Sequence, residues 1–254
     1  MEDDQLMTHE ARGGGRRLRR GIELELESGE RQLLKPGDSY RPSSRQVDLC
    51  FVFDTTGSMS NKIDGLITCM VDLVREFDSL ALDWRLSVVP FGDLTIPGDR
   101  IVADRPFVSD RRSAEAELRQ MVMNGGGSNE GESSIEAVRA ALQKSFRPNT
   151  VKILILLTDE PALGAATQGD RLGAELRADE VIVFTLAPDL PYYRNWASRT
   201  GGQWFPIAAA VDTSAILSLL RRLAADLARV AHEVHVLAGG SVSAYRALEK
   251  GPSD

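Results

Sequence analysis

The chain has 254 residues, 43% of them hydrophobic and 26% charged, with a formal net charge of −7 at pH 7. That is an ordinary globular composition, long enough to bury a substantial core. The acidic balance disfavours a nucleic-acid partner, which needs a clustered basic surface, and no apolar run approaches the roughly 18 residues of a membrane span.

Residues 1–20 hold Gly13-Gly14-Gly15 and Arg16-Arg17-Leu18-Arg19-Arg20 and read as a disordered, solvated tail. The arginines look superficially like an export signal. The following Ile22-Glu23-Leu24-Glu25-Leu26-Glu27 places Glu at every second position, where such a signal needs a continuous apolar stretch. A cytoplasmic location is therefore expected. Residues 21–35 alternate apolar and polar around Ser28-Gly29-Glu30, the pattern of a short β-hairpin. Pro36-Gly37-Asp38 and Pro42-Ser43-Ser44 follow as a linker, so 21–45 form one hairpin-and-linker unit.

A main domain is expected over 46–238, with 239–254 as a flexible C-terminal tail. Val47–Phe53 is an apolar run interrupted by Asp48, suited to a strand buried on both faces. Ile63, Leu66, Ile67, Met70, Val74 and Phe77 recur at helical steps. Leu86–Phe91 reads as a strand, Ala114–Met123 as a helix broken by Gly125-Gly126-Gly127, and Ser133–Phe146 as another helix. Val151–Thr158 and Val181–Leu186 are further strands, Trp204–Ile207 an edge strand, and Thr213–His232 a long amphipathic helix. Apolar strands alternating with helices imply an α/β, Rossmann-like, three-layer domain, its mostly parallel sheet covered on both faces. Cys50 and Cys69 fall within predicted elements and read as buried apolar residues rather than a disulfide or metal pair.

Ligands of open α/β sheets gather beyond the carboxyl ends of the strands. Two strands here end in an Asp among hydroxyls: Asp54-Thr55-Thr56-Gly57-Ser58-Met59-Ser60 and Thr158-Asp159-Glu160-Pro161. Between them lies Gly125-Gly126-Gly127-Ser128-Asn129-Glu130. In an extended segment Asp54, Thr56 and Ser58 would point the same way, delivering one carboxylate and two hydroxyls to one point. Hard oxygen donors of low total charge suit Mg²⁺, with Mn²⁺ or Ca²⁺ as alternatives; no Cys or His stands near these loops, which disfavours zinc. Glu130, Glu132 and Glu160 read as a solvated acidic rim.

Asp54-x-Thr56-x-Ser58 resembles the metal-ion-dependent adhesion site of von Willebrand factor A (VWA) domains, and Asp-Thr-Thr-Gly-Ser-Met resembles a group of them common in bacteria. The resemblance extends to Phe91-Gly92-Asp93, the Gly-rich loop and Leu156-Leu157-Thr158-Asp159, over 46 to about 232. It implies Asp54, Thr56, Ser58, Ser128 and Asp159 as the metal residues, with Ser128 where the family usually has Thr or Asp. It also implies a partner protein whose Asp or Glu carboxylate completes the metal, and that bacterial relatives often work beside AAA+ ATPases. Asp54 and Asp159 roughly neutralise a dication, leaving a place for an incoming acid. The expected role is thus a binding module and not an enzyme. The alternative is a Mg²⁺-dependent phosphatase of the haloacid-dehalogenase type, which would need a second Asp where Thr56 stands.

Overall fold

The structure is a computed structural model, and it describes residues 22–25, 31–34, 46–59, 67–68, 70–75, 83–120, 123–126, 131–148, 150–207, 218, 226, 229–230, 233–234 and 241–249. The chain divides into two units, 1–44 and 45–254. In the first, β1 (Ile22–Glu25) pairs antiparallel with β2 (Arg31–Leu34), Ile22 opposite Leu34 and Glu25 opposite Arg31. This is the expected hairpin.

The second unit is built on a five-stranded parallel sheet. Its strands are β3 (Gln46–Asp54), β4 (Asp83–Phe91), β5 (Val151–Leu157), β6 (Val181–Ala187) and β7 (Trp204–Pro206), in the order β4-β3-β5-β6-β7. β3 lies at the centre between β4 and β5, and all of it but Gln46 is buried. Side chains alternate across a strand, so its apolar residues divide. Val47, Leu49, Phe51 and Phe53 join one core, and Cys50 and Val52 join the other.

Each core is closed by helices. On the first face lie α1 (Arg111–Arg119), through Ala114 and Leu118, and the helical residues 67–68 and 70–75, through Ile67, Met70, Leu73 and Val74. The second face is covered by α2 (Ser134–Leu142), α3 (Ala165–Ala178) and α4 (Pro191–Thr200). They contribute Ile135 and Val138, Leu172 and Leu176, and Tyr193 and Trp196 respectively. The result is the three-layer α/β architecture that the alternating pattern implies.

α3 and α4 are not marked by the sequence pattern, and their packing explains why. Gly169 and Gly173 lower the helix propensity of α3 by about 1 kcal/mol each relative to Ala. They stand where α4 approaches closely: a Cβ on Gly169 would meet Tyr192 Cβ at 3.3 Å, and one on Gly173 would meet Trp196 Cδ1 at 3.4 Å. Trp196 Nε1 donates to the Gly169 carbonyl at 2.7 Å. α4 itself starts with Pro191 in its first turn and ends at Gly201, whose φ of 79° is the left-handed cap that glycine adopts without strain.

The stretch 239–254, expected as a tail, contains α5 (Val242–Glu249), with Val242 and Tyr245 buried in the first core. Arg246 is buried too, donating to the carbonyls of Thr200, Arg177 and Val181. These contacts depend on tertiary approach, which local periodicity does not carry. The 1–20 tail and most of the Thr213–His232 helix lie outside the described residues. No described helix is long and apolar enough to cross a membrane.

Candidate functional site

Parallel strands bring their carboxyl ends to one edge, and β3, β4 and β5 place their following loops side by side there. Asp54 closes β3 and Phe91 closes β4. The Thr55 amide and hydroxyl both donate to the Phe91 carbonyl, at 3.0 and 3.1 Å. Asn124 joins this knot, its amide donating to the Thr55 carbonyl at 2.9 Å and its side chain to the Thr55 hydroxyl at 2.9 Å.

After Asp54 the chain turns at once into a 3-10 turn over Gly57–Met59. The straight extended path expected for Asp54, Thr56 and Ser58 is thus replaced by a turn, and hydrogen bonds gather their side chains. Asp54 Oδ1 accepts from the Thr56 amide at 3.0 Å and the Thr56 hydroxyl at 2.6 Å, the local side-chain bonding by which Asp shapes a turn. Thr56 and Ser58 hydroxyl oxygens are 3.3 Å apart, and Ser58 donates to Asp159 Oδ1 at 2.8 Å. Thr158 Oγ1 donates to Asp54 Oδ2 at 2.7 Å. Four residues singled out from the sequence, Asp54, Thr56, Ser58 and Asp159, are therefore gathered across two strand ends, where Ser58 reaches Asp159 and Thr158 reaches Asp54. The cluster begins at fully buried Asp54 and reaches solvent at Ser58. Ser128 lies outside the described residues.

Glu132 departs from the expected solvated rim. It is 5% exposed, and its Oε2 has no hydrogen-bond partner among the described residues. Its backbone is pinned to the loop after Asp159, accepting from the Leu163 amide at 2.9 Å and donating to the Pro161 carbonyl at 2.8 Å. Gly126, with φ of 69°, makes room: a Cβ there would stand 3.0 Å from Thr56 Cβ and 3.6 Å from Glu132 Oε1. Glu160 is half-buried, and Glu130 lies outside the described residues.

Asp99 carries no local signal in the sequence beyond its loop position, whereas Asp93 stands in the Phe91-Gly92-Asp93 stretch of the resemblance. Asp99 accepts from the amides of Gly125, Gly126 and Asp93 at 2.9, 3.0 and 3.2 Å, and so holds the Gly-rich loop against the end of β4. Buried Asp93 accepts from the Thr95 amide at 2.8 Å.

The electrostatics follow from burial without cationic compensation. Burial pushes the Asp54 carboxyl up to about 6, against the opposing hydrogen bonds from Thr56 and Thr158, with Asp159 adding repulsion. Burial likewise raises Glu132 to about 8, and the charges acting on it are those of Asp54, Asp93 and Asp99. A dication would relieve this strain, and the donors present are hard oxygens of the kind Mg²⁺ takes. Among the described residues no three Asp, Glu, His or Cys side chains converge into a metal-holding group. A cation here would thus draw part of its shell from Thr56 and Ser58. The orphaned, buried Glu132 oxygen fits the same group.

Comparison with known proteins agrees with this architecture. Structures of proximal thread matrix protein 1 from the mussel byssus align over 72% of the chain, with TM-scores of 0.52 and 0.53 at 19% and 18% identity. The aligned region spans 46% and 47% of the mussel chains, under half their length. Identity that low speaks for the fold alone. No curated protein matches the chain. The model of the von Willebrand factor type A domain matches residues 48–201, from the central strand to the end of α4. That match takes in more than half of the sequence, and the chain belongs to the von Willebrand factor type A domain family.

Proposed function

We infer that the chain is a cation-dependent protein-binding module. VWA domains are generally interaction modules, and the family match lends no support to the phosphatase alternative. The observation that carries the reading is the cluster of Asp54, Thr56, Ser58 and Asp159, in which Thr56 donates to Asp54, Ser58 donates to Asp159 and the two hydroxyl oxygens stand 3.3 Å apart, open to solvent at Ser58. Asp54, Thr56, Ser58 and Asp159, with Ser128 from the Gly-rich loop, would hold one Mg²⁺. The cation would supply an electrophilic centre for a carboxylate oxygen from a partner. The chain's own residues position that centre, neutralise it in part and leave one side open.

The rim fits a protein partner. Leu94 and Met123 are large hydrophobic residues with 48% and 47% exposure. Leu94 follows Asp93, and its amide donates to the Ser133 hydroxyl at 2.9 Å. Met123 precedes Asn124 of the Thr55 knot. Both therefore stand on loops that frame the site, where apolar contact can flank a charged one. The partner favoured by the bacterial resemblance is a component of an AAA+ ATPase system, presenting an Asp or Glu.

The test is capture of partners from the native host by wild type and Asp159→Asn, each with Mg²⁺ and with EDTA. Asp159→Asn keeps the shape of the side chain and removes a charge. Capture that depends on Mg²⁺ and falls in the variant supports the reading. Capture that survives both EDTA and the substitution overturns it.

A further inference from the structure

Glu132 is an acid that the family resemblance does not count among the metal residues. It is 5% exposed, and three observations aim it at the cation site. Its backbone is tied to the loop that carries Asp159, through the Pro161 carbonyl and the Leu163 amide. Its Oε1 stands beside Gly126, whose missing side chain leaves room between Glu132 and Thr56. Its Oε2 is buried with no partner among the described residues. A buried carboxylate oxygen without a hydrogen bond is costly, and native structures retain such groups where an ion or an ordered water meets them.

The Thr56 hydroxyl sharpens the point. It carries one proton, and that proton goes to Asp54 Oδ1 at 2.6 Å. Glu132 therefore has no proton to accept from Thr56, and its buried Oε2 needs a donor of another kind, such as a water on a bound cation. The backbone of Glu132 is fixed by its two hydrogen bonds to the Pro161–Leu163 segment, so the side chain is held in place from the loop that carries Asp159. Glu132 stands across Gly126 from Thr56 and not within the hydrogen-bonded cluster of Asp54, Thr56, Ser58 and Asp159, so it is placed one shell out from the cation.

We propose that Glu132 is a positioning residue of the cation site, its buried Oε2 accepting a hydrogen bond from a water on the bound cation. This rests on the cation-site reading above. Outer-shell acids of this kind orient the inner donors and strengthen the grip on the metal. The role also suits Mg²⁺, which keeps several of its waters in protein sites and offers their protons to nearby acceptors.

The experiment uses the full chain and Mn²⁺ as probe, read by the electron paramagnetic resonance signal of free Mn²⁺. Wild type is compared with Glu132→Gln, Glu132→Asp and Asp54→Ala, alongside thermal melts of each in EDTA. Glu132→Gln should weaken Mn²⁺ binding by roughly 10- to 100-fold while melting cooperatively in EDTA at or above the wild-type temperature. Glu132→Asp keeps the charge and should stay within about threefold of wild type, well inside the range of an outer-shell loss. Unchanged affinity in Glu132→Gln, with binding lost in Asp54→Ala, would overturn the role of Glu132 and leave the site standing. An equal loss in the Gln and Asp variants would overturn it too, since shape and not charge would then matter. So would a Gln variant without a cooperative melt, which would make Glu132 a residue of the fold. Absence of Mn²⁺ binding by wild type would instead remove the site itself.

Discussion

The central strand carries two fully buried aspartates, one near each end, and the protein treats them in opposite ways. Asp48, at the amino end of β3, accepts from Arg85 Nε and Nη2 at 3.1 and 2.5 Å. It also accepts from the amide and Nε of Arg147 at 2.7 and 2.8 Å. Two guanidiniums thus face one carboxylate, and Arg147 extends the pairing to Asp83 at 2.8 Å. Asp54, six positions on, receives among the described residues only neutral donors, from Thr56 and Thr158, and has Asp159 and Glu132 for electrostatic neighbours. One end of the sheet neutralises its buried charge with its own side chains. The other gathers uncompensated acids at the edge where parallel sheets bind ligands, which is the economy of a structural ion pair set against that of a cation site.

The largest effect on folding is expected at the amino end. Asp48→Ala strands two partly buried guanidiniums and should cost about 3–5 kcal/mol, as removing one partner of a buried pair does. Urea unfolding should show this loss equally in Mg²⁺ and in EDTA. A loss that Mg²⁺ repairs would mean the two ends are not independent.

Asp54→Ala should do the reverse. Mn²⁺ affinity by titration calorimetry should fall by at least about a hundredfold, more than an outer-shell substitution causes. In EDTA the variant should stay folded, within about 1 kcal/mol of wild type, because removing an uncompensated buried charge offsets the hydrogen bonds lost. Unchanged Mn²⁺ affinity would sink the assignment of Asp54.

pH separates the ends more gently. Asp54 and Glu132 have folded values raised from 3.8 to about 6 and from 4.5 to about 8. Across those windows the folded state binds more protons than the unfolded chain, so metal-free stability should decline as pH rises from about 4 to 8. Saturating Mg²⁺ should flatten that decline, since the cation takes over from the protons. Urea melts at several pH values with EDTA or Mg²⁺ decide it. Metal-free stability that climbs over this range would contradict the picture.

The smallest effect is expected from Thr158→Val, which removes one neutral donor from Asp54 Oδ2. It should cost about 1 kcal/mol, the worth of one hydrogen bond, in thermal or urea melts. A loss several times larger would show that Asp54 depends on Thr158 for more than one contact.

Asp54, Thr56, Ser58 and Asp159 were legible in the sequence because each pair is close in the chain or ends an apolar strand, and strand ends are readable from periodicity. The expected route to their convergence differed: a 3-10 turn and its hydrogen bonds, not an extended alternation, gather the first three. Asp99 and Asn124 were not legible. Their partners, the amides of Gly125 and Gly126 and the Thr55 backbone, lie 26 to 69 residues away, and nothing local distinguishes an Asp or Asn that ties loops from one that is solvated.

By itself the sequence determined the order of the strands, the helices α1 and α2, the burial of β3 on both faces and the pair of acidic strand ends. Alternation and helical periodicity are written into neighbouring residues. The tertiary structure decided which acids lose their water. Asp48 meets arginines 37 and 99 residues away, and Glu132 is buried because the loop after β5 closes over its backbone. It also decided that Gly169 and Gly173 belong in a helix, since only the approach of α4 uses the space they leave. Burial and charge pairing are sums over distant neighbours, so folding sets them and local composition does not.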